Sequence, residues 1–371
     1  MSHWATLADL GQSGWYDFIR RDLMTSGKLG HMISDLGLRG MTTNPTIFAK
    51  AVEGSSLYDG DVAAARAGGA AAQEIFEVLA VKDVQMAADL FRPVYDMTSG
   101  QDGMVSIEVR PELAYDAAGT ITEARRLWAR CDRPNVMIKI PGTVPGLTAI
   151  RTCLAEGINV NVTLLFSVER YEATLDAWLQ ALEQRAAAGL PLDRVASVAS
   201  FFVSRVDTLV DSLIDIQLKR VDLDPSEQLT LSGLKSRLAI ANARLAYEAF
   251  EKVIKSRRFQ ILAARGAVAQ RPLWASTSTK NPALGATYYV DALTAPTSVN
   301  TVPPETWEAY LVSGVPALRI HDDLDQAHTQ VQALAHFGIS FAGVAAQLEF
   351  EGVQKFADSY HQLLKAIDSK R

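Results

Sequence analysis

The feature that most constrains this chain is an alternation of two periodicities. Short runs rich in valine and isoleucine alternate with longer stretches of helical spacing, about eight times over. Strands are expected at residues 15–19, 40–45, 104–109, 136–140, 158–165, 195–202, 272–277 and 287–293. Helical patterns stand between them, for example at 74–90, 169–184 and 205–218. Strand, helix, strand in this order predicts an α/β chain with a parallel sheet, closed as a (β/α)8 TIM-type barrel of one domain, residues 1–371. A doubly wound open sheet is the main alternative. No Gly-x-Gly-x-x-Gly follows the first strand, which argues against its dinucleotide-binding form. Two segments exceed a minimal barrel. One is a charged helical insertion at about 222–266, between strands six and seven, with apolar Leu238, Leu245, Phe250 and Ile254. The other is a C-terminal helix at about 341–368, with Leu348, Val353, Phe356, Tyr360 and Leu364 on one face. It is expected to pack on the barrel.

Within this frame the run from Val136 to Thr143 stands out. With period two, Val136, Ile138 and Ile140 share one face, Met137 and Lys139 the other. A lysine among apolar neighbours is costly to desolvate, which lowers its pKa and can leave an amine ready to attack a carbonyl. Pro141-Gly142 ends the strand, so Lys139 falls at the C-terminal end, where barrels of this type place their active sites. The plain alternatives are a lysine reaching for water and half of a structural ion pair. The neighbouring strands bear on the choice. Val105, Ile107 and Val109 alternate with Ser106, Glu108 and Arg110, and Ile158, Val160, Val162 and Leu164 with Asn159, Asn161 and Thr163. Three consecutive strands thus turn polar residues into the barrel, where they need each other or a ligand. Glu108, Lys139 and Thr163 would lie at similar height. An amine that forms an imine needs a proton donor and acceptor nearby, and Glu108 fits, with Thr163 helping to hold a water. A buried Glu108–Lys139 salt bridge of structural purpose contributes little net stability.

The remaining candidates sit at other strand ends. Asp17 closes the first expected strand, and Thr42 and Asn44 the second; they could hold or deprotonate hydroxyls, or serve as turn and cap residues. Ser200, Phe202 and Arg205 close the sixth. Arg205 with Ser276, Ser278 and Lys280 could hold a phosphate, or Arg205 could pair with Asp207 at a helix start. His321, His328 and His336 flank three aspartates, but their spacing matches no standard ligand pattern and reads as a solvated helix face.

Composition closes off other classes. Lys plus Arg number 36 against 42 Asp plus Glu, a formal charge of −6, so no basic balance points to nucleic acid or anionic membrane. The only cysteines, Cys131 and Cys153, form no metal-type pair or disulfide framework. The first ten residues lack the basic and apolar regions of a signal peptide, and no apolar run is long enough to span a bilayer. A cytoplasmic location is expected.

Six motifs, taken together, resemble those of the transaldolase family: Gly40 to Thr46, Val105 to Val109, Ile138 to Thr143, Asn159 to Ser167, Ala199 to Asp207 and Trp274 to Thr277. The likeness runs from about Gln12 to Thr301, and the tail length suits the longer members. It implies a Schiff-base transferase of the pentose phosphate pathway. Such an enzyme moves a dihydroxyacetone unit from sedoheptulose 7-phosphate to glyceraldehyde 3-phosphate, giving erythrose 4-phosphate and fructose 6-phosphate. By position, Lys139 matches the imine-forming lysine. Glu108 and Thr163 match the pair that handles the catalytic water, and Asp17 the acid/base acting on the C4 hydroxyl. Asn44 and Asn161, with Ser200 beside them, match residues holding the dihydroxyacetone moiety, and Arg205 a phosphate-binding arginine. No metal or other cofactor is implied, because the protonated imine is itself the electron sink. The partners implied are sugar phosphates, for a monomer or homodimer. Some members carry a second phosphate-binding arginine after the seventh strand, where this chain has Ser278 and Lys280. The short fructose 6-phosphate aldolases of the same family typically carry Gln and Tyr where this chain has Glu108 and Phe202. A non-catalytic sugar-phosphate-binding barrel, expected to lose the lysine or its carboxyl partner, and an isomerase using Glu as base are the other readings.

Overall fold

A computed structural model describes residues 2–53 and 55–370. Eight parallel strands close in sequence order into one barrel: β1 (Gln12–Asp17), β2 (Gly40–Thr42), β3 (Met104–Glu108), β4 (Val136–Pro141), β5 (Val160–Leu165), β6 (Ser197–Phe202), β7 (Arg271–Ala275) and β8 (Ser298–Val302). Aliphatic residues of β3, β4 and β5 face the surrounding helices, and all of them are buried. Inside, Trp15 lies where a Cβ at Gly40 would be, so glycine at the start of β2 makes room for the indole. Above it a polar chain crosses the barrel. Asn161 Nδ2 donates to Ser106 Oγ at 3.0 Å, and Ser200 Oγ donates to Asn161 Oδ1 at 2.7 Å. At the N-terminal end Arg271 pairs with Asp102 at 2.9 Å and donates to Ser13 Oγ.

Two expected strands move. The first begins earlier than residue 15, because Gln12 to Tyr16 pair in register with Ser298 to Val302 of β8. Residues 287–293 are not the eighth strand. They hold the short helix Tyr288–Ala292, and β8 lies further on at Ser298–Val302. The β-branched and aromatic composition of Thr287 to Val290 is overridden by tertiary contacts. Tyr289 and Val290 are buried, Tyr289 Oη donates to Asp207 at 2.8 Å, and Tyr288 Oη donates to the Ser236 carbonyl at 3.0 Å.

The insertion is three helices, Pro225–Gly233, Leu238–Ile254 and Arg257–Ala263. Asp224 caps the first in a capping box with Glu227, and Ser256 caps the third. The C-terminal helix Phe341–Ser369 turns Val344, Leu348, Gly352, Phe356, Tyr360, Leu363 and Ile367 inward. Leu363 rather than Leu364 lies on the buried seam, and Val353 is at its margin. The end of this helix is clasped. Lys370 Nζ reaches the Ser55 carbonyl and Asp59, and Arg66 Nη2 donates to the Ile367 carbonyl at 2.8 Å. Cys131 and Cys153 are buried and free, and burial pushes both thiols up to about 12. Among the described residues no single helix is long and apolar enough to cross a membrane.

Candidate active site

The C-terminal ends of the strands surround a cavity of about 200 Å3, lined by Asp17, Thr42, Asn44, Lys139, Ser200, Phe202, Arg205, Ser276, Lys280 and others. With Ser278, which lines it too, ten residues singled out in the sequence thus meet at one mouth. Lys139 is held by β4, its side chain 6% exposed. Its Nζ donates to the Thr43 carbonyl at 3.1 Å and stands 3.6 Å from Glu108 Oε2, beyond hydrogen-bond length. The pair is therefore not the tight buried salt bridge that a structural role would call for. In the strand register Glu108 is opposite Lys139, which is opposite Asn161. Buried Glu108 Oε2 and Thr163 Oγ1 make no hydrogen bond among the described residues. Such groups are costly to bury unpaired and mark a place for a polar ligand or water. Burial drives the Glu108 carboxyl up to about 7, against the pull of Lys139 and with a small addition from Asp17.

Across the cavity Asp17 accepts from Thr42 Oγ1 at 2.6 Å, and Thr42 also bonds Thr301 Oγ1 at 2.7 Å. Burial raises the Asp17 carboxyl, opposed by Lys139, the Thr42 hydroxyl and Arg205. Asn44 has two tasks. Its Oδ1 caps the helix Pro45–Val52 by accepting from Ile47 N at 3.0 Å. Among the described residues its Nδ2 makes no hydrogen bond, and it lines the cavity. Asn161 differs from expectation in place. It is fully buried beneath the floor, both amide atoms engaged, and holds Ser200, which does line the cavity.

Arg205 sits in the first turn of the helix Ser204–Gln217, its guanidinium 5.0 Å from the centre of the Phe202 ring. It does not pair with Asp207, whose carboxylate instead accepts from Ala239 N at 2.7 Å and from Tyr289. Ser276 is tied to the start of that helix: Ser204 N donates to its carbonyl, and the two hydroxyls lie 3.0 Å apart. Ser276 and Leu164 both hold positive φ, at 56° and 61°, in a left-handed region costly for residues other than glycine. Leu164 marks the register irregularity between β5 and β6. Backbone strain is thus stored on two strand ends that frame the mouth. Lys280 Nζ donates to Ser278 Oγ at 2.8 Å.

The match to known proteins agrees with this geometry. Residues 14–367 match the family model described as Transaldolase/Fructose-6-phosphate aldolase. The chain belongs to that family. A transaldolase of Trichodesmium erythraeum is 44% identical over all of this chain and 97% of its own length. One of Acidothermus cellulolyticus is 49% identical over 98% of this chain and 95% of its own. One of Thermobifida fusca is 47% identical over 97% and 96%. The family match extends through the tail, past the limit near Thr301 read from the motifs.

In this family member the sequence reading missed Thr301, Pro303, Glu305 and Phe356, all of which line the cavity. The first three were hidden by the misplaced eighth strand. The run Ser-Val-Asn-Thr-Val-Pro-Pro at 298–304 carries the signal, a short alternating strand stopped by proline as β4 is. Phe356 comes from the C-terminal helix, its ring centre 5.8 Å from Lys139 Nζ. That helix therefore roofs the mouth. His321, His328 and His336 are exposed, each near a glutamate: Glu251, Glu248 and Glu227.

Proposed function

We propose that this chain is a transaldolase that carries a dihydroxyacetone unit on Lys139 from sedoheptulose 7-phosphate to glyceraldehyde 3-phosphate. The carrying observation is a buried Lys139 that shares one cavity with Asp17 and stands beside Glu108 without a tight ion pair. Lys139 Nζ attacks the C2 carbonyl. Glu108, with a carboxyl near 7, gives a proton to the carbinolamine oxygen, which leaves as water held by Thr163. Asp17 takes the C4 hydroxyl proton as the C3–C4 bond breaks. Erythrose 4-phosphate departs, and its electron pair stays on the lysine-bound enamine. The enamine attacks the aldehyde carbon of glyceraldehyde 3-phosphate, and Asp17 returns its proton to the new hydroxyl. Water then adds to the imine, Glu108 takes a proton from it, and fructose 6-phosphate leaves.

Asn44 and Ser200 hold the dihydroxyacetone hydroxyls, Asn161 supports Ser200, and Phe202 bounds the pocket beside Arg205. Arg205, Ser276 and Lys280 receive the phosphate at the positive end of the helix Ser204–Gln217. The reading takes residues 1–371 as one barrel domain acting in the cytoplasm as a monomer or homodimer, with no metal, nucleic acid or membrane partner.

The test is incubation with fructose 6-phosphate and borohydride, with the adduct mapped by peptide mass. A reduced dihydroxyacetone adduct on Lys139, absent from Lys139→Met, supports the imine. Sedoheptulose 7-phosphate formed on adding erythrose 4-phosphate separates transferase from aldolase. A folded sample that binds the sugar phosphate and gives no adduct overturns the proposal.

A further inference from the structure

The seventh-strand loop lends Ser278 and Lys280 to the cavity, and the C-terminal helix that roofs it carries a further lysine. On the C-terminal helix, Phe356 lines the cavity, and a Cβ at Gly352 would sit 3.7 Å from Arg205 Nη1. Lys355 is three residues beyond Gly352 and adjacent to Phe356, so it emerges on the flank of the helix nearest Arg205. Arg205, Lys280, Lys355 and Lys50, on the neighbouring helix Pro45–Val52, form no ion pair among the described residues. Arg205 and Lys280 line the cavity, and Lys355 and Lys50 stand on two helices packed against each other beside it. Asp17, Glu305 and Glu351 are the acids nearby, and Glu351 already accepts from Gln347 Nε2 at 2.7 Å. Like charges held together repel unless an anion joins them. Arg205 is the largest cause of a lowered Lys355 pKa, followed by burial, Lys280 and Lys50.

We propose that Lys355 is a substrate-binding residue that, with Arg205 and Lys280, grips the phosphate of the sugar phosphate from the roof of the cavity. It adds a charge from the C-terminal helix to those that the barrel side supplies. The clasp of Lys370 on Ser55 and Asp59 holds that helix in place, so the lysine is presented rather than searching. A dianionic phosphate would offset two of these charges and draw roof and barrel together. The inference rests on the function proposed above, and its test separates the two.

Lys355→Met and Lys355→Arg are compared with the unaltered protein in two measurements. The first is kcat/KM for glyceraldehyde 3-phosphate relative to glyceraldehyde as acceptor. The second is calorimetric titration with inorganic phosphate, which needs no turnover. Losing one charge-assisted hydrogen bond corresponds to roughly tenfold in binding. Lys355→Met should lower the acceptor ratio about tenfold, mainly through KM, and weaken phosphate binding similarly, and Lys355→Arg should restore both. An unchanged ratio with unchanged phosphate binding overturns the proposal, as do equal losses with both acceptors. If the protein forms no Lys139 adduct, the functional reading fails, yet the phosphate titration still decides the role of Lys355.

Discussion

Replacing Glu108 with glutamine should stabilise the protein increasingly as pH rises. Burial lifts this carboxyl from 4.5 to about 7, Lys139 opposing and Asp17 adding to the shift. Below 4.5 the group is protonated whether the chain is folded or not, and it costs nothing. Between 4.5 and 7 the unfolded chain releases the proton while the fold retains it, so folding loses stability as pH rises. Above 7 the full cost is present. At about 1.4 kcal/mol per pH unit, that cost is about 3–4 kcal/mol, of which roughly 2–3 develops between pH 5 and pH 8. Glutamine keeps the shape and has no proton to lose. Asp207 is raised to about 7 as well, mainly by burial, and titrates in the same window. The wild-type profile alone therefore mixes the two, and the difference between variant and wild type cancels Asp207. Urea melts of both proteins at pH 5, 6, 7 and 8 read that difference. The gap should widen by about 2–3 kcal/mol in favour of Glu108→Gln, while imine formation slows. A gap that stays flat with pH, or a variant less stable at pH 8, would refute the burial argument.

Tyr289→Phe should cost about 1–3 kcal/mol by denaturant melts, more above pH 7 than below, because it leaves ionised Asp207 short of a donor. Gly146→Ala should lose about 1–3 kcal/mol and distort the end of β4, since a Cβ there would overlap the Pro141 carbonyl oxygen. Reduced Lys139 labelling by sugar phosphate and borohydride would show the distortion at the site. Phe356→Ala, in a side chain 4% exposed, should cost about 3 kcal/mol and open the roof over Lys139. Its turnover should fall further than its stability at the assay temperature explains, and unaltered kinetics would count against the roof.

Lys139, Glu108 and Thr163 were legible because each lies on a strand whose alternation is strong, and alternation fixes which face a side chain takes. β4 and β5 are buried on both faces, so a polar residue there had few explanations. Asp17 was legible only as a polar strand end, with a turn or cap role left open, since β1 opens with Gln12 and Ser13 and gives no apolar run until Trp15. Asn161 shows the limit of such reading: its inward direction follows from the period, but whether it touches the cavity or supports Ser200 depends on packing.

The amino-acid sequence by itself determined the order of strands and helices, the faces of β3 to β5, and the lysine at the end of β4. These are local properties, set by side-chain period and by proline and glycine stops. Only the tertiary structure decided where β8 lies, because residues 287–293 and 298–302 compete on nearly equal local propensity. Pairing of Ser298 to Val302 with β1, and burial of Tyr289 against Asp207, settle that competition. Only the closed fold brings Phe356 and Lys355, more than two hundred residues after Lys139, to the same mouth. No local period carries that information, because it resides in how a helix face meets the barrel end.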